Sequence, residues 1–306
     1  MRRIVLFAAV AALAPAAMPA ADVPWGSDLE VAFRTAVATG RPVLVHVTAN
    51  PCGYKAPIGN PGDVHVTDCE KLELDTLATP AFVEAAARFV PIVANQAARV
   101  SGPDGAAGRD LFREWRIATV PTLLIADPWG NEVIRMVGPT PPQQAVRVLN
   151  AIPGDFRPLR AAGEALRQDP ARLDALLAAA AFYEGAGLGV VAERYYERAS
   201  LVPAAKEDTA ARRPLVIARG LNLLRLGRPK DAAKLFEDEA GRGAEGPQAD
   251  VVLFGWAMAS LASGDKPKAQ KIAADLSRRF PDSAYAKRMQ ENLSRPGSVP
   301  PKSPQP

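Results

Sequence analysis

The sequence predicts two architectures in one chain: an α/β domain, with a mixed sheet flanked by helices, over residues 22–152, and an all-α helical-repeat region over residues 153–294. Short apolar runs suited to buried strands alternate with amphipathic segments as far as about residue 150. From Pro153 the strand signals stop, and Ala, Leu and Arg dominate. In that second half one spacing recurs: Gly187-x4-Ala192, Gly227-x4-Ala232 and Gly264-x4-Ala269, offset by 40 and 37 residues.

Residues 1–21 read as a secretory signal peptide. Arg2 and Arg3 supply the positive start, residues 4–14 form an apolar run, and Ala16, Ala17, Ala20 and Ala21 offer small-residue cleavage sites. The run falls well short of the ~20 apolar residues that span a bilayer. The mature chain is therefore expected to be periplasmic or secreted, with no membrane attachment after signal removal. The whole chain carries a net charge of +4, but without the two early arginines it is +2 (35 Lys and Arg against 33 Asp and Glu). So small an excess gives no reason to expect nucleic acid as a partner.

The elements follow in order. Residues 26–40 read as a helix: Ser27 and Glu30 have capping-box spacing, Leu29, Phe33, Ala36 and Val37 make one apolar stripe, and Gly40 and Pro42 end it. Residues 43–48 are apolar enough for a buried strand. Residues 53–67 hold Gly53, Pro57, Gly59, Pro61 and Gly62 without helical period, which is loop chemistry. Thr67 and Glu70 repeat the capping-box spacing and put Cys69 in the first turn of a new helix. Thr79 and Pro80 open another, through about residue 88. A strand over 89–94, a Gly-rich loop over 100–108 and a short helix over 109–115 come next. Strands over 122–126 and 132–137 are joined by the turn Asp127-Pro128-Trp129-Gly130-Asn131, and a helix over 141–151 closes the domain.

In the second half each recurring Gly is placed to end one helix, and each Ala is small enough for the next to pack closely. This pattern resembles tetratricopeptide repeats, helical hairpins that stack into a binding surface. The periods exceed the ~34 residues usual for that family, and its Trp and Pro positions are mostly absent, although Pro203 and Pro281 fall where a repeat would end. Residues 295–306, with five Pro in the last eleven, read as a disordered tail.

Three segments of the first half together resemble the thioredoxin superfamily. Arg41-Pro42-Val43-Leu44-Val45-His46-Val47-Thr48, running on to Pro51-Cys52-Gly53, is similar to the strand leading into that family's redox motif. Cys69-Glu70-Lys71-Leu72-Glu73 is similar to the second motif cysteine and its helix. Ala118-Thr119-Val120-Pro121-Thr122-Leu123 is similar to the segment bearing the family's cis-proline, and Gly138 also fits. One departure stands out: sixteen residues separate Cys52 from Cys69 where the family has two, so residues 53–68 read as an insertion. Pro51 stands where the family often has Trp.

The resemblance implies a catalytic set of Cys52, Cys69, His46 and Pro121. Cys52 would be the exposed nucleophile and Cys69 its resolving partner. Local capping instead puts Cys69 at a helix N-terminus, where unpaired N–H groups lower a thiol pKa. Both assignments stay open. Export permits the two cysteines to pair, and their even count favours it. A bridge that merely pins the loop would also be worth about 3 kcal/mol in the chain-entropy model. His46 takes the place of the family's buried acid and would relay a proton; alternatively it is a core residue. Pro121, if cis, would shape the substrate groove.

His46, His65, Cys52 and Cys69 are the only His and Cys in the chain, which raises Zn²⁺ or Cu⁺ handling as a further reading, although their spacing matches no standard finger. Trp115, Trp129 and Trp256 read as packing residues. No phosphate loop, Ser-His-Asp set or paired carboxylate stands out, and no cofactor is expected. The leading expectation is an exported thiol–disulfide oxidoreductase or redox-linked chaperone acting on a protein partner bound by the helical repeats. The alternative is a non-catalytic adaptor with a structural disulfide.

Overall fold

The structure is a computed structural model that describes residues 22–49, 67–95, 115–243 and 245–294. The predicted signal segment, Cys52, His65, the loops over 53–66 and 100–108, residues 109–114 of the predicted short helix and the tail over 295–306 lie outside those residues.

Helix α1 spans Leu29–Thr39. Its N-cap is Asp28, whose carboxylate accepts from the Val31 N–H at 2.9 Å. Ser27 is thus not the cap: a stronger acceptor one residue closer takes the position, and the helix starts later than the Ser27–Glu30 spacing predicted. Gly40 closes the helix at φ 72°, a conformation that costs glycine nothing.

Strand β1 (Val43–Thr48) is buried along its length, as its unbroken apolar run requires. It lies inside a four-stranded mixed sheet of order β2-β1-β3-β4, where β2 is Val90–Asn95, β3 Thr122–Ala126 and β4 Glu132–Val137. β1 runs parallel to β2 and antiparallel to β3, with His46 opposite Val93 on one side and Leu123 on the other. β3 and β4 form the hairpin over Asp127–Asn131. Gly26 extends the sheet beyond β2: its N–H donates to Pro91 and its carbonyl accepts from Val93.

Because side chains alternate across a strand, β1 feeds two cores. Val43, Val45 and Val47 pack with Ala32 and Ala36 of α1. Leu44 joins the opposite core, and His46 and Thr48 share its face. That second face is covered by α2 (Asp68–Leu72), a wider π-helical turn over Glu73–Leu77, α3 (Pro80–Ala86) and α4 (Pro142–Ala151). The sheet is thus flanked by helices on both sides.

From residue 157 the described chain is helical: a 3-10 turn (Arg157–Leu159), then α5 (Arg160–Gln168), α6 (Leu173–Gly185), α7 (Gly189–Leu201), α8 (Pro203–Glu207), α9 (Thr209–Arg225), α10 (Pro229–Arg242), α11 (Ala249–Ala262), α12 (Lys266–Arg279) and α13 (Ala284–Ser294). Gly187, Gly227 and Gly264 all sit at positive φ between consecutive helices. At each, the glycine N–H bonds back three residues and the next N–H bonds back five, to Tyr183, Leu223 and Ser260 respectively. That double closure satisfies carbonyls the helix end would otherwise orphan. Ala192, Ala232 and Ala269 are fully buried five residues on.

The sheet and the first helical hairpin share one core, running from Leu44 and Phe82 through Phe156 and Leu176 to Tyr195. Polar ties reinforce it. The Phe156 N–H donates to Gly40 at 2.7 Å, Arg160 donates to the Val37 carbonyl at 3.0 Å, and Arg194 donates to the Val133 carbonyl of the edge strand. Trp129 packs directly against Gly163, where a Cβ would stand 2.2 Å from the indole.

Candidate functional site

The site is built where the end of β1 meets the start of α2. Thr67 caps α2 with a reciprocal box: its hydroxyl accepts from the Glu70 N–H at 3.3 Å, and the Glu70 carboxylate accepts from the Thr67 N–H at 2.8 Å. Cys69 therefore occupies the first turn, as its position in the sequence predicted. Its side chain turns inward and is only 1 % exposed. No free cysteine occurs among the described residues. Asp68 and Glu70 beside it favour the helix N-terminus, and both oppose a negative charge on sulfur.

His46 is 3 % exposed and lies beneath Trp25, with ring centroids 5.5 Å apart. Its Nε2 is buried without a hydrogen-bond partner. Burial pushes its pKa down to about 4, so the imidazole is neutral at neutral pH. Two residues along, on the same face, Thr48 lies close enough to the Glu73 carboxylate to favour its charged form. Glu73 follows Cys69 by one helical turn. Although the residue is exposed, its carboxyl is held above the usual range by partial desolvation and by the neighbouring Glu70 charge, against the pull of nearby Thr48.

The Val120–Pro121 peptide bond is cis. The Pro121 carbonyl accepts from the Gly138 N–H at 2.8 Å, and the buried Thr76 hydroxyl, in the turn after α2, donates to the Thr140 carbonyl at 2.7 Å. The α2 unit and the segment after β4 are thereby tied together.

Of the four predicted site residues, His46, Cys69 and Pro121 are described, and Cys52 lies outside. Sequence reasoning assigned no role to Glu73, Thr48 or Trp25. The signals were present: Glu73 at i+4 from Cys69 shares its helical face, and Thr48 at i+2 from His46 shares its sheet face. Among the described residues no group of three or more His, Cys, Asp or Glu is placed to hold a metal ion, and His65 lies outside them. Trp115 packs as predicted, its indole N–H donating to the Gly130 carbonyl at 2.9 Å. No helix among the described residues is long and apolar enough to cross a membrane.

Residues 29–153 match the model of a family described as a thioredoxin-like domain. No curated protein matches the chain. The match and the mixed four-stranded sheet agree: the chain carries a thioredoxin-like domain followed by an all-helical region.

Proposed function

We propose that this chain is an exported thiol–disulfide protein whose exchanging pair is Cys52 and Cys69, acting on a protein partner engaged by tetratricopeptide-like helical hairpins. The observation that carries the reading is the position of Cys69 in a thioredoxin-like domain. It sits in the first turn of a capped helix whose Leu72 packs in one core with Leu44, on the sheet face that His46 and Thr48 share. Its burial suits a resolving cysteine and leaves the nucleophile's role to Cys52.

In the direction of partner reduction, the Cys52 thiolate attacks a partner disulfide, forming a mixed disulfide and releasing a partner thiolate that takes up a proton. The Cys69 thiolate then attacks Cys52, forming the intramolecular disulfide and releasing the second partner thiolate. Two electrons pass from chain to partner. The Cys69 thiol must lose its proton for the second step. Glu73, one turn away and with its carboxyl held above the usual range, is the group suited to take it, whereas burial holds His46 neutral beneath Trp25 and makes it a poor base.

The test is insulin reduction by the native chain, Cys52→Ser and Cys69→Ser. Turnover is expected from the native chain alone, with Cys69→Ser trapping a mixed disulfide on Cys52. Equal, negligible turnover by all three would end the reading. The enclosure of Cys69 also favours a second reading, a structural bridge in an adaptor. A reduction potential well below about −300 mV would select it.

A further inference from the structure

Between α7, α8, α9 and α10 lies a pocket of about 160 Å³. Its floor is apolar: Ala205, Leu215, Val216 and Leu235. Its rim is cationic, with Lys206, Arg212, Arg219 and Arg242 against two carboxylates, Asp238 and Glu239.

The charges at the rim are not balanced among themselves. Glu239 is 2 % exposed and already held by two guanidiniums, Arg212 at 2.7 Å and Arg213 at 3.3 Å. One buried carboxylate thus neutralises only half of that pair. Arg213 is fixed in place, donating also to the carbonyls of Gly243, Glu245 and Pro247. Arg219 is committed to Glu193 and Glu197. Lys206 and Arg242 have no carboxylate partner among the described residues, and both are exposed. An apolar hollow with surplus positive charge at its mouth is complementary to a ligand that is apolar at one end and anionic at the other.

We propose that this pocket binds an aliphatic carboxylate, its hydrocarbon end on Leu215, Val216 and Leu235 and its carboxylate between Lys206 and Arg242. The size fits: a cavity of about 150 Å³ takes a benzene-sized guest, so a body of about six carbons fills this one. Two sources supply that chemistry, a free short-chain acid or the aliphatic C-terminal residue of a protein partner. The proposal stands on the pocket alone and is independent of thiol exchange.

The experiment titrates the mature full-length chain with sodium hexanoate, following the Leu215 and Val216 methyl resonances. A second arm uses a hexapeptide ending in leucine with a free carboxyl group. Hexanamide and the peptide amide are the uncharged controls. Saturable shifts are expected with at least one acid, weakened about tenfold in its amide, the loss of one charge-assisted contact. Arg242→Ala and Lys206→Ala should each weaken binding several-fold. Asp238→Asn, removing a rim anion, should tighten it. The arm that binds more tightly identifies the source. All three positions are exposed, and circular dichroism confirms that the variants fold. No saturable shift at tens of millimolar, equal binding of acid and amide, or affinity unchanged in Lys206→Ala/Arg242→Ala would overturn the proposal. Reduction of a small-molecule disulfide, which needs no bound protein partner, is expected to be unchanged in these variants, so the pocket and the thiol reading fail separately.

Discussion

Tyr183 of α6 donates its hydroxyl to the Asp127 carboxylate at 3.1 Å, across 56 residues of sequence and with both side chains fully buried. Asp127 opens the β3–β4 turn and also accepts from the Trp129 and Asn131 N–H groups, each at 2.9 Å, and from the Asn131 amide. One carboxylate therefore shapes the hairpin and fastens it to the first helical pair. Tyr195 stacks on Tyr183 behind it, centroids 5.3 Å apart.

Tyr183→Phe removes one donor and leaves a buried carboxylate under-bonded. A loss of about 1–3 kcal/mol in unfolding free energy is expected, measured by urea denaturation. Burial raises the Asp127 pKa. The folded state therefore holds this proton above the pH at which the unfolded chain releases it. The Asp127 contribution to stability falls as pH rises from the unfolded value near 3.8 through the raised one. Asp127→Asn should abolish that slope.

His46 has the opposite sign. The unfolded imidazole takes up a proton near 6.5, while the folded one resists until about 4. Stability is therefore complete above pH 6.5 and declines as pH falls towards 4, by about 3 kcal/mol for a shift of this size. His46→Leu should flatten the stability profile across that window. A His46 resonance titrating near its ordinary value would contradict the burial argument.

Gly163→Ala places a methyl group inside the Trp129 indole. The ring is held between α5 and the β3–β4 turn, so it has little room to retreat. A cost of about 1–3 kcal/mol is expected from overpacking, seen as a lowered Tm for the whole chain. Unfolding of the helical region at an unchanged temperature would show that the junction is not a shared core.

Glu73→Gln removes an anion one turn from Cys69 while keeping the side chain's shape and a polar oxygen beside Thr48. In the reduced protein the Cys69 thiol should become more acidic, by up to about one pKa unit. Thiolate absorbance against pH reads this directly, and Glu73→Asp should restore part of the native behaviour.

Much of the fold was legible because its determinants are local. β1, β3 and β4 have the predicted bounds, since each apolar run is bracketed by Gly, Pro or Asn. The Thr67–Glu70 box is contained in four residues and forms as expected. The same logic misplaced the start of α1, because Ser27 and Asp28 compete for one position and spacing alone cannot rank them. The junction had no local signature: Asp127 read as a turn residue and Tyr183 as a helix residue, and only the fold makes them partners. At the candidate site, His46, Cys69 and Pro121 were singled out by the family resemblance, whereas the interest of Glu73 comes from its place beside Thr48, 25 residues earlier, which no local pattern announces.

The three glycine joints at 187, 227 and 264 have a further consequence. Because each closes its helix by the same pair of hydrogen bonds, the corners they form are interchangeable parts. A hairpin excised between two of them, or duplicated there, would rejoin the chain at a corner of familiar geometry. The first hairpin is the exception, since Tyr183 is tied to the β3–β4 turn and Arg194 to β4. Length could thus vary at the far end of the molecule while the anchored end stayed fixed.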